Sequence, residues 1–167
     1  YPGRTEVRVT ADAPGFSAAL PEGHAAPEWA AGVAFPALNL VVLRAGAALP
    51  DPRSVFRHEI AHVAIGRVAP VPVPRWFLEG LAVVQSGTLW QRSAPALRRA
   101  ALAGRVPRLD DLAGAFPSSA HDAELAYAAS SSFVAWLMDR GGARRLDGVV
   151  RALVRGLPFR DALEAAY

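Results

Sequence analysis

Five consecutive residues, His58-Glu59-Ile60-Ala61-His62, combine types and a spacing that can do hydrolytic chemistry. On an α-helix, residues four apart lie one above the other on the same face, so the two imidazoles can share one metal ion. Glu59, one step round, can flank that ion and take a proton from an attacking water as general base. Two of the chain's four histidines lie in this stretch. The bland alternative is a pair of core histidines with a surface Glu between them. The flanks favour a helix over Pro52–Ile65. Asp51 suits an N-cap and Pro52 the first helical position. Val55, Phe56, Ile60, Val63 and Ile65 supply an apolar face, and Gly66 can stop the helix.

A catalytic zinc needs three protein ligands and one open position, so a third ligand is expected downstream. The metzincin pattern would put Gly and His three and six residues after His62, where Ile65 and Val68 stand. Glu79 is the better candidate. It lies in Trp76-Phe77-Leu78-Glu79-Gly80-Leu81-Ala82-Val83-Val84, a segment apolar all round. A lone carboxylate there is costly to bury unless it is paired or bound to a metal. Gly80, Ala82 and Val83 are small enough to let this segment approach the histidine helix. Pairing of Glu79 with Arg57 or Arg75 is the ordinary alternative, and Asp110 or Asp111 is a remoter third ligand.

The elements that must position these groups divide the chain in two. Residues 1–50 are β-leaning: strands are expected at Glu6–Thr10, at Ala31–Phe35 and, best of all, at Asn39–Arg44, with a Pro/Gly-broken stretch at Pro14–Pro27. From position 51 the signals are helical. After Pro52–Ile65 comes an extended connector, Arg67–Pro74, with three prolines. Helices are then expected at Arg75–Ser86, Pro95–Ala103, Asp122–Arg140 (capped by Asp122 and ended by Gly141-Gly142), Arg144–Arg155 and Pro158–Ala166. A short helical turn is expected at Leu109–Ala113.

The chain's 167 residues fit one domain, 1–167, with room for a real core. The absence of cysteine excludes disulfides, thiolate-bound zinc and cysteine catalysis. All 18 basic residues are arginine, scattered rather than striped, and the net charge is only +3. A nucleic-acid partner is therefore not expected, nor is a membrane span, since no apolar run is long enough. The chain begins at Tyr1 rather than Met. It is read as a fragment lacking a leader, anchor or upstream domain, and is expected to act outside the cytoplasm.

His58-Glu59-Ile60-Ala61-His62 followed by Pro74-Arg75-Trp76-Phe77-Leu78-Glu79-Gly80-Leu81-Ala82 resembles the peptidase MA-like group of bacterial gluzincin metallopeptidases. The stretches Pro27–Ala34 and Asn39–Leu43 are similar to that family's strands before the active-site helix. Ala126–Val134 with Gly141-Gly142 is similar to its later helix, and Gly156–Phe159 with Ala162-Leu163 to its final turn and helix. The resemblance spans nearly the whole chain. His62 and Glu79 are separated by 16 residues, fewer than in aminopeptidase-N type relatives, and no Gly-x-Met-Glu-Asn-type segment is present. Exopeptidase selection is thus not implied.

The resemblance implies an α+β, zincin-like fold: a small N-terminal sheet over the HExxH helix, followed by a C-terminal helical half. It implies one Zn2+ per chain held by His58, His62 and Glu79, with Glu59 as base and a peptide or protein as substrate. Tyr127 matches a position where related enzymes carry an oxyanion-stabilising Tyr; an ordinary core tyrosine, or His121 in that role, are the alternatives. The strand Asn39–Arg44 would form the sheet edge over the cleft, where the backbone of Asn39 and Val41 could pair with an extended substrate; a plain core strand is the alternative for its side chains. A catalytically inactive zincin-like binding or regulatory module is the competing expectation, although zinc retention alone has no need of Glu59.

Overall fold

A computed structural model describes residues 3–46, 49–87, 89–117 and 119–167, the side chains of 89–93 excepted. Glu6–Thr10 forms strand β1, Ala13–Ala19 helix α1, Gly32–Phe35 strand β2 and Leu40–Arg44 strand β3. The three strands make one sheet in the order β1-β3-β2, with β1 parallel and β2 antiparallel to β3. Helices α2 (Pro52–Val68), α3 (Arg75–Ser86), α4 (Leu89–Leu102), α5 (Ala120–Val154) and α6 (Phe159–Ala166) follow. The class is α+β, with the strands gathered in the N-terminal part.

β3 is the central strand, which corrects the expectation that Asn39–Arg44 is an edge. The reason is its composition. Leu40 and Val42 pack with Phe16 of α1 and with Ala30, while Val41 and Leu43 pack with Val55 and Val63 of α2. A strand apolar on both faces belongs inside a sheet. Val41 stands opposite Val7 on one side and Ala34 on the other, so its backbone cannot also receive a substrate. Asn39 occupies the corner before β3 in the left-handed conformation, with φ 54°, which Asn tolerates better than most residues. Its Oδ1 accepts from Thr5 Oγ1 at 3.0 Å, its Nδ2 donates to the Arg4 carbonyl, and its own carbonyl accepts from the Glu6 amide at 2.9 Å. Asn39 thus ties in the start of β1.

The Pro14–Pro27 stretch holds α1. Asp12 caps that helix, accepting from the Gly15 amide at 2.8 Å, and Pro14 sits in its first turn.

α2 is capped by Asp51, whose Oδ2 accepts from the Ser54 amide at 3.1 Å. It runs past Gly66 instead of ending there. A Cβ on Gly66 would lie 2.7 Å from Pro36 Cβ, so this glycine allows a close crossing rather than a stop. Gly80 on α3 likewise faces another way than expected: a Cβ there would meet the Ser130 carbonyl oxygen at 2.5 Å and Val134 Cγ2 at 2.7 Å. The close approach it permits is to α5, not to α2.

The start of α3 lacks a side-chain cap. Its first two amides, of Arg75 and Trp76, donate to the carbonyls of Ala113 and Leu112 at 2.9 and 3.0 Å. The Leu109–Ala113 stretch is accordingly a run of turns, not a helix, and it satisfies donors that a helix start leaves open. α4 begins earlier than Pro95 and carries that proline inside. α5 is capped by Ser119, whose Oγ accepts from the Asp122 amide and donates to the Asp122 carboxylate at 2.7 Å. Asp122 is thus the partner of the cap rather than the cap. The expected break at Gly141-Gly142 is a kink at Gly142, with φ 67°. Trp76, Phe77 and Leu81 of α3 pack with Val134 and Leu137 of α5 and Ala162 of α6 in the helical core. Full burial of Phe77 alone contributes about 1.5–3 kcal/mol.

Candidate active site

His58 and His62, one turn apart on α2, bring their Nε2 atoms to 3.1 Å of each other. Glu79, from the middle of α3, points Oε2 between them, at 3.4 Å from His58 Nε2 and 3.2 Å from His62 Nε2. Three donor atoms of three side chains thus converge at one point, and the group can hold a metal ion. Glu79 is only 5% exposed, and its Oε2 has no hydrogen-bond donor of good geometry. A buried carboxylate oxygen left in that state is costly without a cation. Burial alone would raise the Glu79 carboxyl, but the facing imidazoles of His58 and His62 outweigh it and hold the group well below the usual carboxylate range. Burial would lower the His62 imidazole, and Glu79 reverses that, so the net shift is upward.

The pairing of Glu79 with Arg75 is present as well, in addition to the histidines. Arg75 Nη2 lies 3.0 Å from Glu79 Oε1, leaving Oε2 to the imidazoles. Arg57 is exposed on another face of α2, beside Gly87. Asp110 and Asp111 are exposed in the turns after α4, with Asp110 paired to Arg108.

Glu59 is buried beside the histidines, and burial pushes its carboxyl up; His58 and His62 oppose that shift and Glu79 adds to it. It lies directly under β2. A Cβ on Gly32 would stand 3.0 Å from Glu59 Oε1, so only glycine lets the strand pass this close. Gly32 was not among the residues singled out from the sequence. The place to look was a glycine at the first position of a strand bordering the helix.

Tyr127, on the second turn of α5, faces the same space. Its ring is 6.1 Å from that of His58, edge-on, and 5.2 Å from Phe116. Burial pushes the phenol well above its ordinary value, with the Glu79 charge adding to the shift and Arg75 opposing it. The hydroxyl therefore stays protonated. His121 is exposed one turn earlier and lines no part of the cleft described next.

The cleft has two lobes, and the residues that line both include Trp29, Gly32, His58, Glu59, Ala123 and Tyr127. The smaller, about 360 Å³, is walled by Val55, Val83, Ala123 and Pro50, with Glu124 and Ala120 at the α5 end. The larger, about 680 Å³, contains His62, Glu79, Arg75 and Phe116. The strand along the cleft is β2: Gly32, Val33 and Ala34 line it, whereas Asn39 and Val41 do not. β2 pairs with β3 on one side only.

A helix that carries two histidines and a glutamate, a second helix that brings a buried carboxylate to the same point, and an edge strand along the cleft make a group able to hold a metal ion on an α+β scaffold. The family model of the Peptidase MA superfamily matches residues 23–167, and the chain belongs to that superfamily. No curated protein and no solved structure matches the chain. Among the described residues, no helix is long and apolar enough to cross a membrane.

Proposed function

We propose that the protein is a gluzincin-type zinc peptidase that hydrolyses peptide bonds, with His58, His62 and Glu79 as the zinc ligands. The observation that carries this reading is the spacing of the three donor atoms, 3.1, 3.2 and 3.4 Å. Ligands about 2.0–2.1 Å from a tetrahedral zinc stand roughly 3.3 Å apart. The packing of a small three-stranded sheet against α2 and the superfamily membership support the same conclusion.

Zinc, when bound, supplies Lewis acidity that polarises a carbonyl and makes water easier to deprotonate. The chain's own groups do the rest. An extended peptide pairs with the open side of β2, and the smaller lobe receives an apolar side chain against Val55 and Val83. Glu59 takes a proton from the attacking water as its oxygen bonds to the carbonyl carbon. The Tyr127 hydroxyl, kept neutral by burial, donates to the oxyanion. Glu59 then passes its proton to the amide nitrogen as the C–N bond breaks.

The test is elemental analysis of purified protein, wild type and Glu79→Ala, combined with peptide hydrolysis before and after chelation. About one zinc per chain in wild type, lost in the variant, with hydrolysis abolished by chelator and by Glu59→Gln, is the expected result. A wild type that takes up no zinc sinks the proposal. Zinc uptake without hydrolysis of any peptide in a broad library would favour the non-catalytic module.

A further inference from the structure

Metal-binding side chains need a second hydrogen bond to hold their orientation. His58 lacks one: its Nδ1 is buried without a partner. Glu79 has one, and it is a charged one. Arg75, one turn earlier on α3, grips Oε1 at 3.0 Å. That leaves a single oxygen, Oε2, for the imidazole side. Free rotation would let the carboxylate present both oxygens or swing away; the guanidinium removes that freedom.

Arg75 is itself held. Its backbone amide donates to the Ala113 carbonyl, and its guanidinium lies over the Phe116 ring at 5.4 Å. Phe116 in turn packs edge-on against Tyr127. The turn-rich segment between α4 and α5 thus braces one arginine that touches the carboxylate. The Arg75 side chain is about half exposed, so solvent screens its side of the pair, whereas the Glu79 carboxylate that it grips is buried. The pair's geometry is better accounted for by what it does to Glu79.

We infer that Arg75 is a positioning residue for the metal site, holding Glu79 as a one-oxygen ligand through Oε1. The inference rests on the zinc reading above. A guanidinium suits the task because its planar fork fixes direction, which a lysine ammonium does less well.

The experiment is competition for zinc between the protein and a chromophoric chelator, with wild type, Arg75→Gln, Arg75→Lys and Glu79→Ala, alongside melting curves with and without zinc. Arg75→Gln is expected to weaken zinc binding by roughly 10–100-fold, to leave the metal-free melting temperature nearly unchanged, and to shrink the rise in melting temperature that zinc produces. Arg75→Lys is expected to recover part of the loss. Phe116→Leu keeps Arg75 but removes its support, so it should show a smaller loss in the same direction, and it serves if Arg75→Gln does not fold. Wild-type zinc affinity in Arg75→Gln and Phe116→Leu, with Glu79→Ala still deficient, overturns the positioning role and leaves the ligand set standing. A wild type without zinc overturns both.

Discussion

Gly32 of β2 and Glu59 of α2 touch where the sheet crosses the helix: a Cβ added at 32 would sit 2.9 Å from Glu59 Cγ and 2.6 Å from Val55 Cγ1. The edge strand and the proposed base therefore share one small space. Gly32→Ala should displace the Glu59 carboxylate, or lift the strand, without touching the metal-site donors. Peptide turnover is expected to fall tenfold or more, zinc content to stay at the wild-type level, and stability to drop by about 1–3 kcal/mol. Metal analysis, steady-state kinetics and a melting curve check the three together. Loss of zinc in parallel with activity would contradict the local reading.

Glu59 is a buried acid whose carboxyl is pushed up in the folded protein. A group raised in this way contributes stability below its unfolded value, and that contribution is lost as pH rises through the folded one. Glu59→Gln removes the charge while keeping the shape. In metal-free protein the variant should be the more stable at neutral pH, by on the order of 1 kcal/mol or about 2–4 °C, and the difference should narrow as the pH is lowered. Melting temperatures of both proteins across roughly pH 4–8 provide the check, while the variant's hydrolysis of peptides should be lost.

Removing the Tyr127 hydroxyl tests the oxyanion role. Tyr127→Phe keeps the ring against His58 and Phe116. It should lower kcat by about 10–1,000-fold with little change in KM and none in zinc content. Because burial keeps the phenol protonated far above neutrality, Tyr127 should impose no alkaline limb in the neutral range. The variant's pH profile should therefore keep the wild-type shape. A KM effect alone would make Tyr127 a wall of the cleft and nothing more.

The smaller lobe of the cleft is closed by Val83, one turn beyond Glu79 on α3. Val83→Phe should fill it. Substrates with a bulky apolar side chain in that lobe should lose kcat/KM by tenfold or more, while those with Ala or Gly there lose far less. A peptide library with one varied position, read by mass spectrometry, shows whether the preference moves.

The convergence of three side chains in the candidate site could be read from residue order. His58 and His62 share a face because a helix turns every 3.6 residues, and Glu79 drew notice because an acid in an apolar helix needs a partner. Packing relations were harder to see. The run Leu40-Val41-Val42-Leu43 is uninterrupted rather than alternating, which is the mark of a strand covered on both faces and so of the centre of the sheet. Gly80 could be recognised as a contact point, but which helix it contacts depends on how α5 returns across α3. The roles of Gly32, Arg75 and Phe116 depend on elements distant in sequence meeting around one cleft, and no local pattern encodes that meeting.

α3 presents Glu79 toward the histidines and Gly80 toward α5, where the Ser130 carbonyl would stand 2.5 Å from an added Cβ. The contact that seats α3 on α5 thus lies only about 100° round the helix from the acid. A single methyl group at position 80 would push α3 off α5 and turn or shift Glu79 with it, although the methyl itself stands outside the cleft. How the third donor reaches the imidazoles therefore depends on a contact made one face away.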